Sequence, residues 1–272
     1  MDTTKTLPNI FSFGGGRQST AALALAAQGR IDFPIFVFAH VGADSENPDT
    51  LDYIERYSKP YALARGIDFV ELRKRKRDGS IETVYGRAMA DNRSIALPMR
   101  MSNGAPGNRT CTVDFKVKQV EKYAKSLGAT RDNRVSVGIG FSVSELGRMR
   151  TDDPRSVQRL VYPLVDLRLT TADCLRIIRE AGLPEPPKSA CWFCPFQNLA
   201  AWHRRKRHQP ALFWAAVELE RRQNAKRAAL GKDCVWLTPY ARPLDEVVQG
   251  EQADWTEVAE DEGVCNAYNC MT

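Results

Sequence analysis

Seven cysteines are the first side chains that could do chemistry in this chain of 272 residues. Cys191 and Cys194 form a C-x-x-C pair, and two thiolates at that spacing can hold one metal ion or act as a redox pair. An odd number cannot all pair within one chain. The N-terminal residues lack the features of a secretory signal, so we expect a cytoplasmic, reducing setting in which the cysteines are buried, bind metal or are redox-active.

A run of three glycines, Gly14 to Gly16, is the second chemical feature, and it stands between an apolar segment and a helix-forming one. Glycines at such a point let the backbone approach an anion closely, and the free N–H groups at a helix start stabilise phosphate. The spacing matches neither the P-loop nor the G-x-G-x-x-G fingerprint. Phosphate binding and a plain glycine-rich turn therefore both stay open at this point.

The composition is that of a globular protein, with 43% hydrophobic and 26% charged residues and a net charge of +6. It excludes wholesale disorder and a fibrous protein, and no apolar run is long enough for a transmembrane helix, so no membrane partner is expected. Two basic runs, RKRKR (73–77) and HRRKRH (203–208), favour either nucleic-acid binding or solvated surfaces.

Short apolar runs alternate with helix-forming segments through the first half of the chain. This alternation predicts an α/β fold with a mainly parallel sheet and helices on both faces, plus a C-terminal helical, cysteine-bearing extension. We assign residues 1–182 to a nucleotide-binding α/β domain and 183–272 to the extension. The predicted strands are 10–13, 33–39, 69–72 and 134–139, and the predicted helices are 19–28, 49–65, 116–127, 170–181 and 202–230, the last interrupted by Pro210.

The segment FSFGGGRQST (11–20) resembles the phosphate-binding loop of one branch of the adenine nucleotide α-hydrolase-like superfamily. This is the phosphoadenosine phosphosulfate (PAPS) reductase-like branch of the PP-loop, or N-type ATP pyrophosphatase, enzymes, whose usual loop is SGGxDS. The resemblance covers roughly residues 7–220. The other matching stretches, in the family's order, are FAHVGADSENPDTL, NRTCTVDFK, VGIGFSVSELGRMR, and YPLVDLRLTTADCLRII followed by GLPEPPKSACWFCPF.

This resemblance implies that ATP or a PAPS-like nucleotide binds over the carboxyl edge of the sheet and is cleaved between its α- and β-phosphates. Glu145 and Arg148 are implied to line the opposite wall as catalytic residues. Gln18 stands where adenylating members usually carry Asp, and an amide cannot bind Mg²⁺ as a carboxylate does. Either Asp44 or Glu145 serves the metal, or Mg²⁺-assisted cleavage is in doubt. The residues implied to bind the nucleotide are Ser12, Gly14, Gly15, Gly16, Gln18, Ser19, Thr20, Gly42, Asp44, Gly138 and Gly140.

The same resemblance implies a use for three of the cysteines. Iron–sulfur-dependent sulfur transferases of the superfamily hold a 4Fe–4S cluster with three cysteines, which implies Cys111, Cys191 and Cys194 here. A structural Zn²⁺ with His203 or His208 as fourth ligand is the alternative.

The other four cysteines receive separate assignments. Cys265 and Cys270 on the tail are candidate nucleophiles, a redox pair or a plain chain end, because their context departs from the family's reductase tail. Cys174 and Cys234 are predicted to lie in the core, where free cysteines are common.

Together these features predict a nucleotide-dependent sulfur-transfer enzyme. It would activate a nucleic-acid acceptor with ATP and deliver sulfur, supplied by a donor protein, through an iron–sulfur site. One alternative is a sulfonucleotide (PAPS) reductase that uses Cys265 or Cys270 as nucleophile. The other is a non-catalytic nucleotide-binding protein with structural zinc, which Gln18 favours.

Overall fold

A five-stranded sheet, parallel at every pairing, forms the centre of the molecule, and its strand order is β3-β2-β1-β4-β5. This computed structural model describes residues 6–91 and 97–249. The chain moves outward from β1 to β3 and then crosses back to β4, so the order reverses beside β1, where open α/β sheets bind ligands. The predicted α/β fold class is confirmed. The strands are β1 (Ile10–Phe13), β2 (Ile35–His40), β3 (Asp68–Arg73), β4 (Val135–Ile139) and β5 (Gln158–Val161).

Eleven α-helical segments surround this sheet within the described residues. Two π-helical turns join neighbouring segments, Ile54–Ser58 between α2 and α3 and Val113–Val117 between α5 and α6, and a 3₁₀ helix, Val143–Arg148, follows β4. No helix in the described part of the chain has both the length and the apolar character needed to cross a membrane. The segments are α1 (Arg17–Ala27), α2 (Pro48–Tyr53), α3 (Lys59–Leu63), α4 (Val84–Met89), α5 (Thr110–Thr112), α6 (Lys118–Ser126), α7 (Pro163–Asp166), α8 (Thr171–Glu180), α9 (Leu199–His208), α10 (Pro210–Ala228) and α11 (Leu244–Val247).

The two faces of the sheet carry different side chains because successive residues of a strand point to opposite sides. The phenylalanines of β1 and β2 share one face, where the rings of Phe11 and Phe36 stack with centroids 4.9 Å apart. Helices α1 and α8 cover that face with side chains such as Leu23 and Ile177. Aliphatic residues of β1, β2 and β4 fill the other face, and Val120 of α6 packs against them.

A third hydrophobic cluster lies under the C-terminal helices. It combines Trp202 of α9 and Phe213 of α10 with Val84, Phe115 and other residues from the first half of the chain. The cluster thus takes side chains from both sides of the expected boundary between residues 182 and 183. That boundary stays a prediction.

Sequence reasoning missed strand β5 and helix α4, as well as the short segments α5, α7 and α11 and the 3₁₀ helix, and several predicted boundaries move by one to three residues. Strand β5 reads QRLV, a run of four residues with two polar ones, and α4 reads VYGRAM with a glycine inside it. Neither carries enough periodic apolar residues to be found locally. The predicted break at Pro210 is confirmed, because α9 ends at His208 and α10 begins with that proline.

Glu220, in the middle of α10, forms hydrogen bonds to the segment that follows this helix. Its carboxylate oxygens accept hydrogen bonds from the backbone N–H groups of Leu237 (2.6 Å) and Leu244 (2.8 Å). The side chain is buried, and burial raises the pKa of Glu220 to about 7 although the two N–H groups oppose the shift. Folding therefore favours the protonated carboxyl group.

We expect the free energy of unfolding of the wild type to fall relative to that of Glu220→Gln as the pH rises. The stability that the raised pKa of Glu220 contributes is fully present below the ordinary glutamate pKa of 4.5 and is lost as the pH rises through about 7. The relative loss between pH 5 and 8 should be on the order of 3 kcal/mol. Urea unfolding at each pH measures it, and Glu218→Gln, an exposed change on the same helix, is the control. Parallel pH profiles for wild type and Glu220→Gln would contradict the assignment.

Gly138 occupies a crowded position inside β4, opposite Phe11 of β1. A Cβ atom there would lie 2.5 Å from Cδ2 of Phe11 and 2.7 Å from Cε1 of Phe33. Both rings are buried, so they have little room to move. The glycine leaves space for the aromatic face of the sheet, and its expected role in nucleotide binding stays a prediction.

We expect Gly138→Ala to lower the free energy of unfolding by roughly 1–3 kcal/mol, because it overpacks the aromatic face. Gly147→Ala is the matched control, since a Cβ at Gly147 meets nothing within 4 Å. Urea unfolding of the two variants gives the comparison. Equal stabilities would show that the rings near Gly138 can move aside.

Candidate functional site

The glycine loop lies at the carboxyl end of the central strand, as the sequence predicts. β1 ends at Phe13, three glycines follow, and α1 begins at Arg17. Gly15 has φ +80°, a left-handed conformation that glycine adopts without strain. The Oγ of Ser19 accepts a hydrogen bond from the N–H of Gly16 (3.2 Å) and donates one to its carbonyl oxygen (3.0 Å). The loop thus presents the positive end of an eleven-residue helix, a favourable place for an anion.

Buried hydroxyl groups surround this loop. A Cβ atom on Gly15 would lie 2.8 Å from Cγ2 of Thr50 and 3.6 Å from Oγ of Ser189. Within the described residues, the hydroxyls of Thr20, Thr50 and Ser189 are fully buried and have no hydrogen-bond partner. Buried polar groups normally have partners, so these hydroxyls are available to a polar ligand beside the loop.

Asp44, which the resemblance implies as a nucleotide-binding residue, orders the turn after β2. Its Oδ2 accepts a hydrogen bond from the hydroxyl of Thr83 and its Oδ1 accepts one from Ser45, both 2.8 Å long. Gly42 has φ +125°, and a Cβ there would lie 2.4 Å from Oδ1 of Asp44. Gly42 and Asp44 therefore belong to one tight turn.

Three residues after β4 are implied as site residues: Gly140 lies at the loop, and Glu145 and Arg148 lie on the 3₁₀ helix. A Cβ on Gly140 would lie 3.3 Å from the backbone nitrogen of Ser19, so this glycine borders the start of α1 beside the glycine loop. Glu145 and Arg148 form an ion pair of 2.7 Å, and Oε2 of Glu145 also accepts from the N–H of Ser142 (3.3 Å). The pair joins the two expected catalytic groups in one unit on the 3₁₀ helix.

The amide of Gln18 is buried at the start of α1 and supplies no carboxylate to a cation. The two acids that could replace it are already engaged, Asp44 by hydroxyl donors and Glu145 by Arg148. A Mg²⁺ site at the loop stays a prediction.

The segment 189–194, which carries Cys191 and Cys194 and is called the cysteine segment below, is joined to the turn after β2 by backbone hydrogen bonds. The N–H of Asn47 donates to the carbonyl oxygen of Ala190, and the N–H of Trp192 donates to the carbonyl oxygen of Ser45; both bonds are 3.2 Å long. These bonds form an antiparallel bridge between Glu46 and Cys191. The segment therefore lies beside the glycine loop although about 175 residues of chain separate them.

One glutamine side chain holds the C-x-x-C turn in shape. Nε2 of Gln197 donates to the carbonyl of Trp192 at 2.9 Å and lies 3.4 Å and 3.3 Å from the carbonyls of Cys191 and Cys194. Its Oε1 accepts a hydrogen bond from Nη2 of Arg205 (3.2 Å).

The three cysteines of the expected ligand set are all partly buried. Cys111 and Cys191 pack against the same hydrophobic cluster, and Cys194 follows Cys191 by one turn. Three thiolates suit an iron–sulfur cluster or zinc in kind. In residues 6–91 and 97–249, however, no three His, Cys, Asp or Glu side chains come together as a group that could hold a metal ion. The ligand set stays a prediction.

The remaining cysteines have different outcomes. Cys174 is fully buried in the core, as predicted. The prediction for Cys234 is wrong: its side chain is exposed, and the adjacent Val235 takes the core position. Cys265 and Cys270 lie outside the described residues, so their expected role stays a prediction.

Glu46 is a buried residue of the site that sequence reasoning missed. Its Oε1 accepts from the N–H of Asn47 (3.3 Å), while its Oε2 has no hydrogen-bond partner among the described residues. Burial raises the pKa of Glu46, and the nearby ammonium of Lys116 opposes that shift. Glu46 stands two residues before the Pro-Asp-Thr run that begins at Pro48, and nothing in this local sequence shows that it will be buried.

A cavity of about 490 Å³ opens next to the loop and the cysteine segment. Arg17 and Lys188 line it from one side, and Arg204, Arg205 and His208 line it from α9. Arg205 is only 8% exposed, and no described residue accepts a hydrogen bond from its Nε. Burial lowers the pKa of Arg205 to about 10, which still leaves it charged at neutral pH. Two acids, Asp49 and Glu185, also line the cavity, and Glu185 forms an ion pair with Arg17 (2.6 Å). Arginine and lysine side chains outnumber these acids, so the cavity favours an anionic group.

The two basic runs differ in what they contact. Side chains of the first run contact Glu71, Glu82 and the carbonyl of Gly79. The second run forms the end of α9, and three of its six residues line the cavity. The structure thus favours the second run as a ligand surface.

The chain is similar to two solved enzyme structures. One is the phosphoadenylyl-sulfate (PAPS) reductase from Candida auris in its phosphate complex, with 18% identity and a TM-score of 0.44 over 68% of this chain and 78% of that chain. The other is the U34-tRNA thiolase NcsA from Methanococcus maripaludis with its 4Fe-4S cluster, with 14% identity and a TM-score of 0.40 over 79% and 72%. No family model and no curated protein sequence matches the chain.

Proposed function

We propose that this protein is a nucleotide-dependent sulfur-transfer enzyme. It binds the phosphates of an adenine nucleotide on the loop Gly14 to Gly16, activates an acceptor with ATP, and uses the cysteines beside the loop in sulfur delivery. The observation that carries the proposal is the position of Ser189, whose Oγ lies 3.6 Å from the point that a Cβ on Gly15 would occupy, two residues before Cys191 pairs with Glu46 of the turn after β2.

The loop supports binding of the nucleotide and activation of its α-phosphate. Negative charge on the phosphates is stabilised by the start of α1 and by hydroxyls that have no described partner. An acceptor oxygen attacks the α-phosphorus, pyrophosphate leaves, and a sulfur nucleophile then displaces AMP from the adenylated acceptor. The buried setting of Thr20, Thr50 and Ser189 limits competition by water at this point.

The cavity beside α9 supports an acceptor that carries phosphate, such as a nucleic acid. Its buried Arg205 and its exposed neighbour Arg204 can bind backbone phosphates, because guanidinium groups make paired hydrogen bonds to phosphate oxygens. The cavity also lies next to Ala190, so an acceptor held there is close to the cysteine segment.

We further propose that Cys111, Cys191 and Cys194 are the ligands of an iron–sulfur cluster. Such a cluster, held by three thiolates, supplies one open iron that can carry sulfur. The support is the donor set and its spacing, together with the packing of Cys111 and Cys191 against one hydrophobic cluster.

We expect Gly15→Ala to weaken ATP binding by at least about tenfold, because the new Cβ crowds Thr50 and the conformation at φ +80° is strained for alanine. Gly29→Ala is the matched control. It has a similar φ of +67°, but a Cβ there meets nothing within 4 Å. Equilibrium dialysis with labelled ATP measures both affinities, and equal affinities would place the nucleotide away from the loop.

We expect anaerobically purified protein to contain iron and acid-labile sulfide, and to form AMP and pyrophosphate from ATP when RNA is present. Replacing Cys111, Cys191 or Cys194 by serine should each lower the iron content, while Cys234→Ser, an exposed position, should not. Zinc without iron would contradict the cluster. Sulfite formed from PAPS, without any AMP from ATP, would favour the reductase alternative.

A further inference from the structure

Ser189 links the phosphate loop to the cysteine segment. Its side chain is fully buried, and its Oγ has no partner among the described residues. This Oγ lies 3.6 Å from the point that a Cβ atom on Gly15 would occupy. Two residues later, Cys191 forms the backbone bridge with Glu46. A single short segment therefore carries both a hydroxyl at the loop and a cysteine of the site.

Thr50 lies near the same glycine. Its hydroxyl is equally buried and has no described partner, and its Cγ2 lies 2.8 Å from the Gly15 Cβ position. Two buried donors that lack acceptors are therefore close to one glycine of the loop and can share one acceptor. At the start of α1 that acceptor is most favourably an anion, because the helix N–H groups and both hydroxyls can donate to it.

We propose that Ser189, with Thr50 as a second donor, makes a hydrogen bond to a phosphate oxygen of the nucleotide on the loop and thereby positions the cysteine segment. This inference rests on the proposed function and deepens it. The bound nucleotide would hold residues 189–194 at the site through one side chain, so nucleotide binding and the position of the C-x-x-C pair are coupled.

The first test is the affinity of the full-length protein for ATP and, separately, for PAPS. Ser189→Ala and Thr50→Val should each weaken binding of the nucleotide by about tenfold, since each removes a donor to a charged group. Thr238→Val is the matched control, because Thr238 is also buried with a hydroxyl that has no described partner. It should bind within about twofold of the wild type.

The second test is hydrogen–deuterium exchange of the peptide that contains Trp192 and Cys194, whose N–H groups donate to Ser45 and Cys191. In the wild type and in Thr238→Val, a saturating nucleotide should slow this exchange. In Ser189→Ala, at a nucleotide concentration that saturates the variant, the slowing should be lost. A purely structural serine would change exchange equally with and without nucleotide.

The outcomes separate this inference from the function on which it rests. If the wild type binds neither ATP nor PAPS, the proposed function and the inference both fail. If the wild type binds and Ser189→Ala and Thr50→Val bind equally well, the function stands and the inference is overturned. Slowed exchange that persists in the nucleotide-saturated Ser189→Ala variant overturns the coupling. Thermal unfolding of each variant confirms that it is folded.

Discussion

The antiparallel pairing of residues 45–47 with 190–192 is the interaction on which the site depends. Two backbone hydrogen bonds and a third from Nε1 of Trp192 to the carbonyl of Asp44 (2.8 Å) join segments that are far apart in the chain. The pairing places the cysteines beside the glycine loop and closes one side of the cavity. It also buries Trp192 in the hydrophobic cluster below α9, so the C-terminal part of the chain helps to build the candidate site.

Local sequence patterns were sufficient for the parts of the site that local geometry determines. The strand, loop and helix from Ile10 to Ala27 were predictable because an apolar run, glycines and alanine-rich residues follow one another directly. The same holds for α8, whose Thr170 cap accepts a hydrogen bond from the N–H of Asp173.

Other features of the site depend on contacts between residues that are distant in the chain, and local sequence patterns do not predict such contacts. The burial of Glu46 and Ser189 follows from the pairing of two remote segments. Cys234 is exposed beside a buried valine, in an irregular segment between α10 and the bridge at Trp236. The net charge of +6 likewise did not show that the first basic run contacts protein acids while α9 faces a cavity.

The contacts of Gln197 with three carbonyl groups have a consequence for how the C-x-x-C turn receives a ligand. A turn that is already held by side-chain hydrogen bonds has little conformational entropy left to lose when something binds to it. Less of the binding energy is then spent on ordering the turn, so more of it appears as affinity. Arg205 donates to the same glutamine, so a hydrogen bond also connects this turn to the cavity beside α9.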